Sequence, residues 1–211
     1  MKVVEFFAGT CSFSGLAERE FGAETFTTDS GLDLMTLDQY AKIDLVSDIF
    51  DLQPKDFPFQ PDIVWASPPC TYFSVASIGK HWNKDHTPKS NEAVLGLQIV
   101  EKTLEFINIL QPKYWFMENP RGKLRKLPIT ESLPIHTVTY CQYGENRMKP
   151  TDIWTNAPWT PRPMCKNGDS CHESAPRGSQ TGTQGIKYKF DKSRIPEELC
   201  RELLEVVSTR I

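Results

Sequence analysis

The chain contains no apolar run of the about 18 residues that a membrane-spanning helix needs, which excludes an integral helical membrane protein. It also lacks the charged, apolar and small-residue pattern of a secretory leader. Met1-Lys2 runs directly into an apolar segment at 3–7, so a cytoplasmic protein is expected. A disulfide scaffold is lacking: the six cysteines, at 11, 70, 141, 165, 171 and 200, are scattered without its rhythm, which favours a reducing compartment. Glycine is scarce as well, and no G-x-G-x-x-G stands after a strand, which disfavours a phosphate-cradling nicotinamide site. There is no internal repeat.

What is present is one core's worth of chain. At 211 residues and 39% hydrophobic content, a single domain with a small appendage is the simplest organisation. The net charge of −3 hides an asymmetry. Residues 1–110 carry 8 Lys/Arg against 16 Asp/Glu, whereas residues 111–194 carry 14 against 7. A basic segment in a mildly acidic protein suits an anionic partner such as nucleic acid, or is simply an uneven solvated surface.

Short apolar runs at 3–7, 24–28, 44–47, 62–66, 114–117, 137–140 and 152–154 read as strands. Helical spacing follows the first of them, with Phe13, Leu16, Ala17 and Phe21 before Gly22. The clearest helix is predicted at 91–110, with Ala93, Leu97, Val100, Leu104 and Ile107 on one face. A last helix opens at Ile195-Pro196, with Leu199, Leu203, Val206 and Val207 on one side. Strand–helix alternation predicts a mainly parallel α/β sheet with helices on both faces, the late strand near 151–156 being antiparallel. Residues 74–90 read as a polar loop long enough to act as a flap, carrying Lys80, His81 and Lys84.

The chemistry gathers at the carboxyl ends of these strands, where α/β sheets bind ligands. Phe7-Ala8-Gly9-Thr10-Cys11-Ser12 is a small-residue turn after strand one. Asp29 ends strand two, placed to accept from ribose hydroxyls, and Asp48-Ile49 lies just past strand three. Ser67-Pro68-Pro69-Cys70 presents a thiol on a loop stiffened by two prolines, and Glu118 ends the next strand. Taken alone, Cys70 also reads as a small buried hydrophobe, and the aspartates as turn residues. Together, a thiol and a carboxyl on neighbouring strands form a constellation for nucleophilic catalysis, with a buried carboxyl able to hold a proton at neutral pH.

The ordered set resembles the cytosine carbon-5 DNA methyltransferases. Phe7-Ala8-Gly9 looks like their cofactor-binding motif, and Asp29 and Asp48-Ile49 like the second and third. Pro68-Pro69-Cys70 with Phe73-Ser74 resembles the catalytic loop, and Glu118-Asn119 the motif that follows it. Tyr143-Gly144 with Asn146-Arg147 is similar to the base-holding turn, and Ser193 with Ile195-Pro196 to the closing motif. The resemblance implies a Rossmann-like, S-adenosylmethionine-dependent methyltransferase fold. Cys70, Glu118, Asn119 and Arg147 would then be catalytic. Phe7, Ala8, Gly9, Thr10, Ser12, Asp29, Asp48, Ile49, Pro69 and Ser193 would line the site of S-adenosylmethionine, with S-adenosylhomocysteine as product. The implied partner is duplex DNA with the target cytosine flipped out, met by a monomer without membrane attachment. Methylation of the exocyclic amino group of cytosine or adenine stays open as an alternative, as do carbon-5 methylation of RNA or a free nucleotide and a non-catalytic binding role.

The sequence departs from the family in size. Residues 1–155 and 193–211 suffice for a catalytic domain, which leaves only 156–192 as a reduced target-recognition region. Sequence readout is therefore expected to be short or supplied by a specificity partner, and the compactness suggests phage or restriction–modification coding. The run at 177–185 reads as a polar loop. Cys165, Cys171 and His172 offer three zinc ligands, with a fourth, such as Cys141, needed from elsewhere. Against the four-ligand requirement the expectation is two ordinary cysteines and no metal.

Overall fold

The computed structural model describes residues 1–31, 43–173 and 189–211. The stretch after Gly31 and the run at 177–185 lie outside them. Among the described residues the strands are β1 (Lys2–Phe6), β2 (Glu24–Asp29), β3 (Leu45–Val46), β4 (Ile63–Ala66), β5 (Tyr114–Pro120), β6 (Ile135–Thr139) and β7 (Pro150–Thr155). The helices are α1 (Ser12–Phe21), α2 (Ile78–His81), α3 (Asn91–Leu110), α4 (Pro128–Glu131), α5 (Lys189–Ser193) and α6 (Glu197–Ser208).

The strands form one sheet in the order β3-β2-β1-β4-β5-β7-β6. The first five are parallel and β7 runs antiparallel to both its neighbours, as expected for the late strand. The chain leaves β1 toward β2 on one side and later resumes at β4 on the other. That reversal opens a crevice at the carboxyl ends of β1 and β4, where doubly wound sheets bind ligands.

Alternation along the strands builds two cores. Val3, Trp65 and Phe116 face one side and meet Phe13, Leu16 and Ala17 of α1 and Leu199, Leu203 and Leu204 of α6. Val4, Phe6, Val64 and Ala66 face the other and meet Phe106, Ile107 and Leu110 of α3. Burial on both faces explains why these strands read as continuous apolar runs.

Helix ends follow their chemistry. Gly22 closes α1 in the left-handed region at φ 62. Ser90 caps α3, its side chain accepting from the Ala93 amide at 3.2 Å. The buried face of α3 differs from the predicted one: Gly96 and Thr103 are buried, whereas Leu97 and Leu104 are only half-buried. Gly96 turns inward because the aromatic rings of Tyr72 and Phe73 occupy the space a side chain would fill.

Residues 74–90 are more ordered than a polar flap. They contain α2 and a bridge between Trp82 and Pro88. Trp82 is buried, stacked on Phe73 at 5.9 Å, and donates from Nε1 to the Tyr72 carbonyl. His81, expected on the flap, is buried and pairs with Ser90 Oγ at 2.8 Å.

Candidate active site

The turn after β1 is held open by its backbone. Phe7, Gly9 and Cys11 all have positive φ (55, 44 and 48). A Cβ on Gly9 would meet only the Phe7 carbonyl, at 3.8 Å, so the rim above the turn is clear. Asp29 at the end of β2 braces it, Oδ2 accepting from the Gly9 amide at 3.0 Å and Oδ1 from the Gly31 amide at 3.0 Å. Thr10 and Ser12 share a hydroxyl hydrogen bond at 2.5 Å, and Ser12 Oγ accepts from the Ile195 amide at 3.2 Å. The segment following Ser193 thus returns to the first turn, bringing together two motifs more than 180 residues apart in the chain. Asp48 is exposed and accepts from the Phe50 amide at 3.0 Å, while Ile49 is buried beneath it. A small-residue rim, an open backbone approach and carboxylates at two strand ends fit a ligand that carries a ribose and an apolar base.

Glu5 was not anticipated as a site residue. It lies on β1, fully enclosed, and its Oε2 accepts from the Ser14 amide at 2.7 Å, satisfying one of the orphan donors at the start of α1. Burial pushes its carboxyl up to about 7, against the hydrogen bonds of Ser14 and Phe13 that pull it down. Cys11 beside it is pushed up to about 12, chiefly by burial, and is no nucleophile at neutral pH.

The second half of the crevice lies between β4 and β5. Ala66 is opposite Met117 in the register, so the chain beyond Ala66 runs alongside Glu118 and Asn119. Asn119 is fully buried, and its Nδ2 donates to the Pro68 carbonyl at 2.8 Å, clamping the proline loop to β5. Ser67 accepts from Trp65 Nε1 at 2.9 Å. Cys70 follows half-exposed, outside any disulfide, and opens a turn in which its carbonyl accepts from the Phe73 and Ser74 amides, both at 3.0 Å. Phe73 is buried and anchors that turn, while Pro69 is exposed on its rim. Two glycines make the fit possible. A Cβ on Gly96 would come within 2.8 Å of Tyr72, and one on Gly122 within 2.3 Å of the Phe73 carbonyl.

Glu118 is 5% exposed. Its Oε1 accepts from the Tyr140 hydroxyl at 3.0 Å, and Lys149 Nζ lies 4.0 Å away. Burial raises its carboxyl above the ordinary range, partly opposed by Lys149 and by the Tyr140 hydrogen bond. Tyr140, itself buried beside this carboxyl, is held well above its usual value and remains a donor.

Arg147 is 4% exposed and points inward. Its Nε and Nη2 donate to Glu145 at 2.5 and 2.8 Å, and its Nη1 to the Lys192 carbonyl at 3.2 Å. Lys149 reaches the same carbonyl at 3.5 Å. The turn after β6 is thereby tied to the segment ending at Ser193, which is itself exposed.

Residues 1–127 match the model of the C-5 cytosine-specific DNA methylases. The chain belongs to this family. A protein of Frog virus 3 (isolate Goorha) described as a probable DNA (cytosine-5)-methyltransferase is 28% identical over 232 residues, covering 98% of this chain and all of that protein. Two solved structures resemble the chain. One is a prophage-encoded protein from E. coli described as a DNA modification methyltransferase, at TM-score 0.49 and 14% identity, over 74% of this chain and 46% of that one. The other is the Dnmt2 methyltransferase of S. pombe, at TM-score 0.45 and 19% identity, over 74% and 50%. The chain therefore spans about half the length of these solved structures.

Within this methylase family member, the Asn119 clamp ties the loop that carries Cys70 to the strand that carries Glu118, while the Phe7–Ser12 turn and Asp29 lie at the carboxyl ends of β1 and β2. Sequence reasoning missed Glu5, Ser67, Tyr140, Gly96 and Gly122. Tyr140 stood at the end of a predicted strand with nothing to mark its direction. A lone glycine shortly after Glu118-Asn119 was the only sign of the close approach at Gly122.

Proposed function

We propose that the protein methylates carbon-5 of cytosine in DNA through a covalent adduct on Cys70. The observation that supports this most directly is the clamp from Asn119 to the Pro68 carbonyl, which joins the thiol-bearing loop to the strand that carries a buried carboxyl. The target base is flipped out of the duplex, because its ring carbons are inaccessible within the stack. Cys70 Sγ then adds to carbon-6 as thiolate. Glu118, whose burial favours the protonated form, donates toward ring nitrogen-3, and carbon-5 becomes nucleophilic. Once carbon-5 carries the new methyl group, loss of its proton to solvent and elimination of Cys70 release 5-methylcytosine. Tyr140 orients Glu118, and Asn119 sets the loop.

S-adenosylmethionine, when bound, supplies an electrophilic methyl group. Phe7, Ala8, Gly9, Thr10 and Ser12 would hold it on the first turn, Asp29 and Asp48 at its hydroxyl groups, Ile49 and Pro69 against its apolar surfaces, and Ser193 from the returning segment. For Arg147 the reading is a supporting one. Glu145 and the Lys192 carbonyl accept from its Nε, Nη1 and Nη2, so it braces the turn from which it would grip the base or its phosphate. Residues 156–192 act as the reduced recognition region, and the protein works as a monomer with a short target context or a separate specificity partner.

Bisulfite sequencing of DNA from cells expressing the chain tests base, product and context together. Protected cytosines are expected with the wild type and none with Cys70→Ala, which retains base binding. A 5-fluorocytosine duplex should trap a stable adduct on Cys70. N4-methylcytosine without an adduct would show the exocyclic chemistry instead, and transfer to tRNA or deoxycytidine nucleotides in preference to the duplex would show another substrate.

A further inference from the structure

We propose that Cys141, Cys165, Cys171 and His172 form a structural zinc site that fastens the recognition region to the catalytic sheet. The sequence reading set a metal aside because only three donors are local. The fold supplies the fourth: Cys141 lies in the 3-10 turn Tyr140–Tyr143 that follows β6. One ligand atom from each residue lies within 4.8 Å of all the others. Cys141 Sγ is 3.1 Å from Cys165 Sγ and 3.6 Å from Cys171 Sγ. His172 Nδ1 is 3.7 Å from Cys165 Sγ and 3.6 Å from Cys171 Sγ. Around tetrahedral zinc, sulfurs at about 2.3 Å and a nitrogen at about 2.0 Å lie roughly 3.5–3.8 Å from one another. Three of these four separations already have that form, and the Cys141–Cys165 one is shorter.

Three thiolates and an imidazole are a soft donor set that selects zinc over magnesium or calcium. Four protein ligands leave no open position, so the site is structural and not catalytic. Its surroundings suit it. Cys141 and Cys165 are buried, at 9% and 7% exposure. The Cys165 amide donates to Thr139 Oγ1 at 3.1 Å, which fixes its backbone beside the turn. Gln142 Nε2 donates to Cys171 Sγ at 3.3 Å, where it would offset thiolate charge in the manner of an outer-shell partner. His172 Nε2 is buried with no partner among the described residues, so what orients the ring is on its sulfur side. On binding, the three thiol protons pass to solvent and the sulfurs coordinate as thiolates.

The site joins residues 165–172 to the turn that carries Tyr140 and leads to Arg147. The Glu173 amide reaches the Asn146 carbonyl at 2.9 Å on the same line. Any effect on methylation rests on the proposed activity, whereas metal content does not.

The full chain, purified without chelator from zinc-supplemented medium, should contain about one zinc per chain by elemental analysis. Replacement by cobalt should give thiolate-to-cobalt charge-transfer bands and visible bands of tetrahedral intensity. Cys171→Ser and His172→Ala should lose the metal, and His172→Cys should keep it by forming a four-cysteine set. The wild-type cobalt spectrum decides the matter even where a variant folds poorly. A metal-free chain lighter by two hydrogens, with Cys141 bridged to Cys165, would overturn the proposal. So would stoichiometric zinc retained in a Cys165→Ser, Cys171→Ser double variant.

Discussion

Glu5 supports the start of α1, next to the first turn, from inside the core. It caps α1 at Ser14 and so sets the turn from Phe7 to Ser12, yet it sits in an enclosed apolar core. Its carboxyl is near 7 in the folded chain and 4.5 in the ordinary case. Between those values the folded state binds more protons than the unfolded one, so this group's contribution makes stability fall as pH rises from about 4.5 through about 7. The difference corresponds to about 3 kcal/mol as an order of magnitude. Glu118 and Asp152, also raised by burial, act in the same direction. Glu5→Gln keeps an acceptor for the Ser14 amide and removes the titration. Urea midpoints should therefore be similar to wild type at acid pH and higher than wild type at pH above the folded value. A variant that loses stability equally at both pH values would show that the charge is not the issue. None of this was visible in the sequence, where Glu5 is one polar residue inside an apolar run. The inward direction of an alternate strand position carries no local mark once both faces of the sheet are buried.

At the scale of elements, the sequence was informative wherever periodicity or punctuation is strong. Helix α3 has the predicted bounds, Gly22 stops α1, and the proline-bounded run before Cys70 is the central strand β4. The reading weakened where tertiary contact overrides pattern. Residues 74–90 look polar but fold around Trp82, and the buried face of α3 rotates toward Gly96 because the loop after Cys70 packs there. That loop is wedged between Gly96 of α3 and Gly122 beyond β5, and the Lys123 amide donates to the Phe73 carbonyl at 2.8 Å. Gly122→Ala would drive a methyl into that same carbonyl. A cost of about 1–3 kcal/mol is expected, since a small residue is overpacked against backbone. Turnover should fall too, since a displacement of about 1 Å at the proposed nucleophile costs about a hundredfold. Thermal denaturation and single-turnover methyl transfer would separate the two. A variant that folds less well but turns over normally would mean the loop position is not limiting.

Across the whole molecule, the basic excess in residues 111–194 was legible, but its use was not. The fold consumes much of it internally. Arg125 pairs with Asp152 at 3.3 Å, Arg147 with Glu145, and Arg162 with both Glu198 and Glu202 of α6. Lys123 is buried over the Trp82 ring and beside His86, its ammonium lowered by burial. Ala157 and Trp159 likewise sink into the main core, so the start of the segment proposed for recognition packs against the sheet. Among the described residues, Lys113, Arg121, Lys126, Lys166 and Arg194 remain exposed from this segment. Arg121 directly follows the strand that carries Glu118 and Asn119, its backbone held by the Pro150 carbonyl at 2.9 Å, whereas Lys113 precedes that strand at its amino end. If DNA approaches the carboxyl ends of the strands, the two residues must differ. Each phosphate contact contributes about 0.9 to the slope of log affinity against log salt for duplex DNA. Arg121→Ala should therefore lower that slope by about 1 and weaken binding alike across sequences. Lys113→Ala should leave the slope unchanged. Fluorescence anisotropy over a salt series measures both, and equal effects from the two variants would place the duplex elsewhere on the molecule.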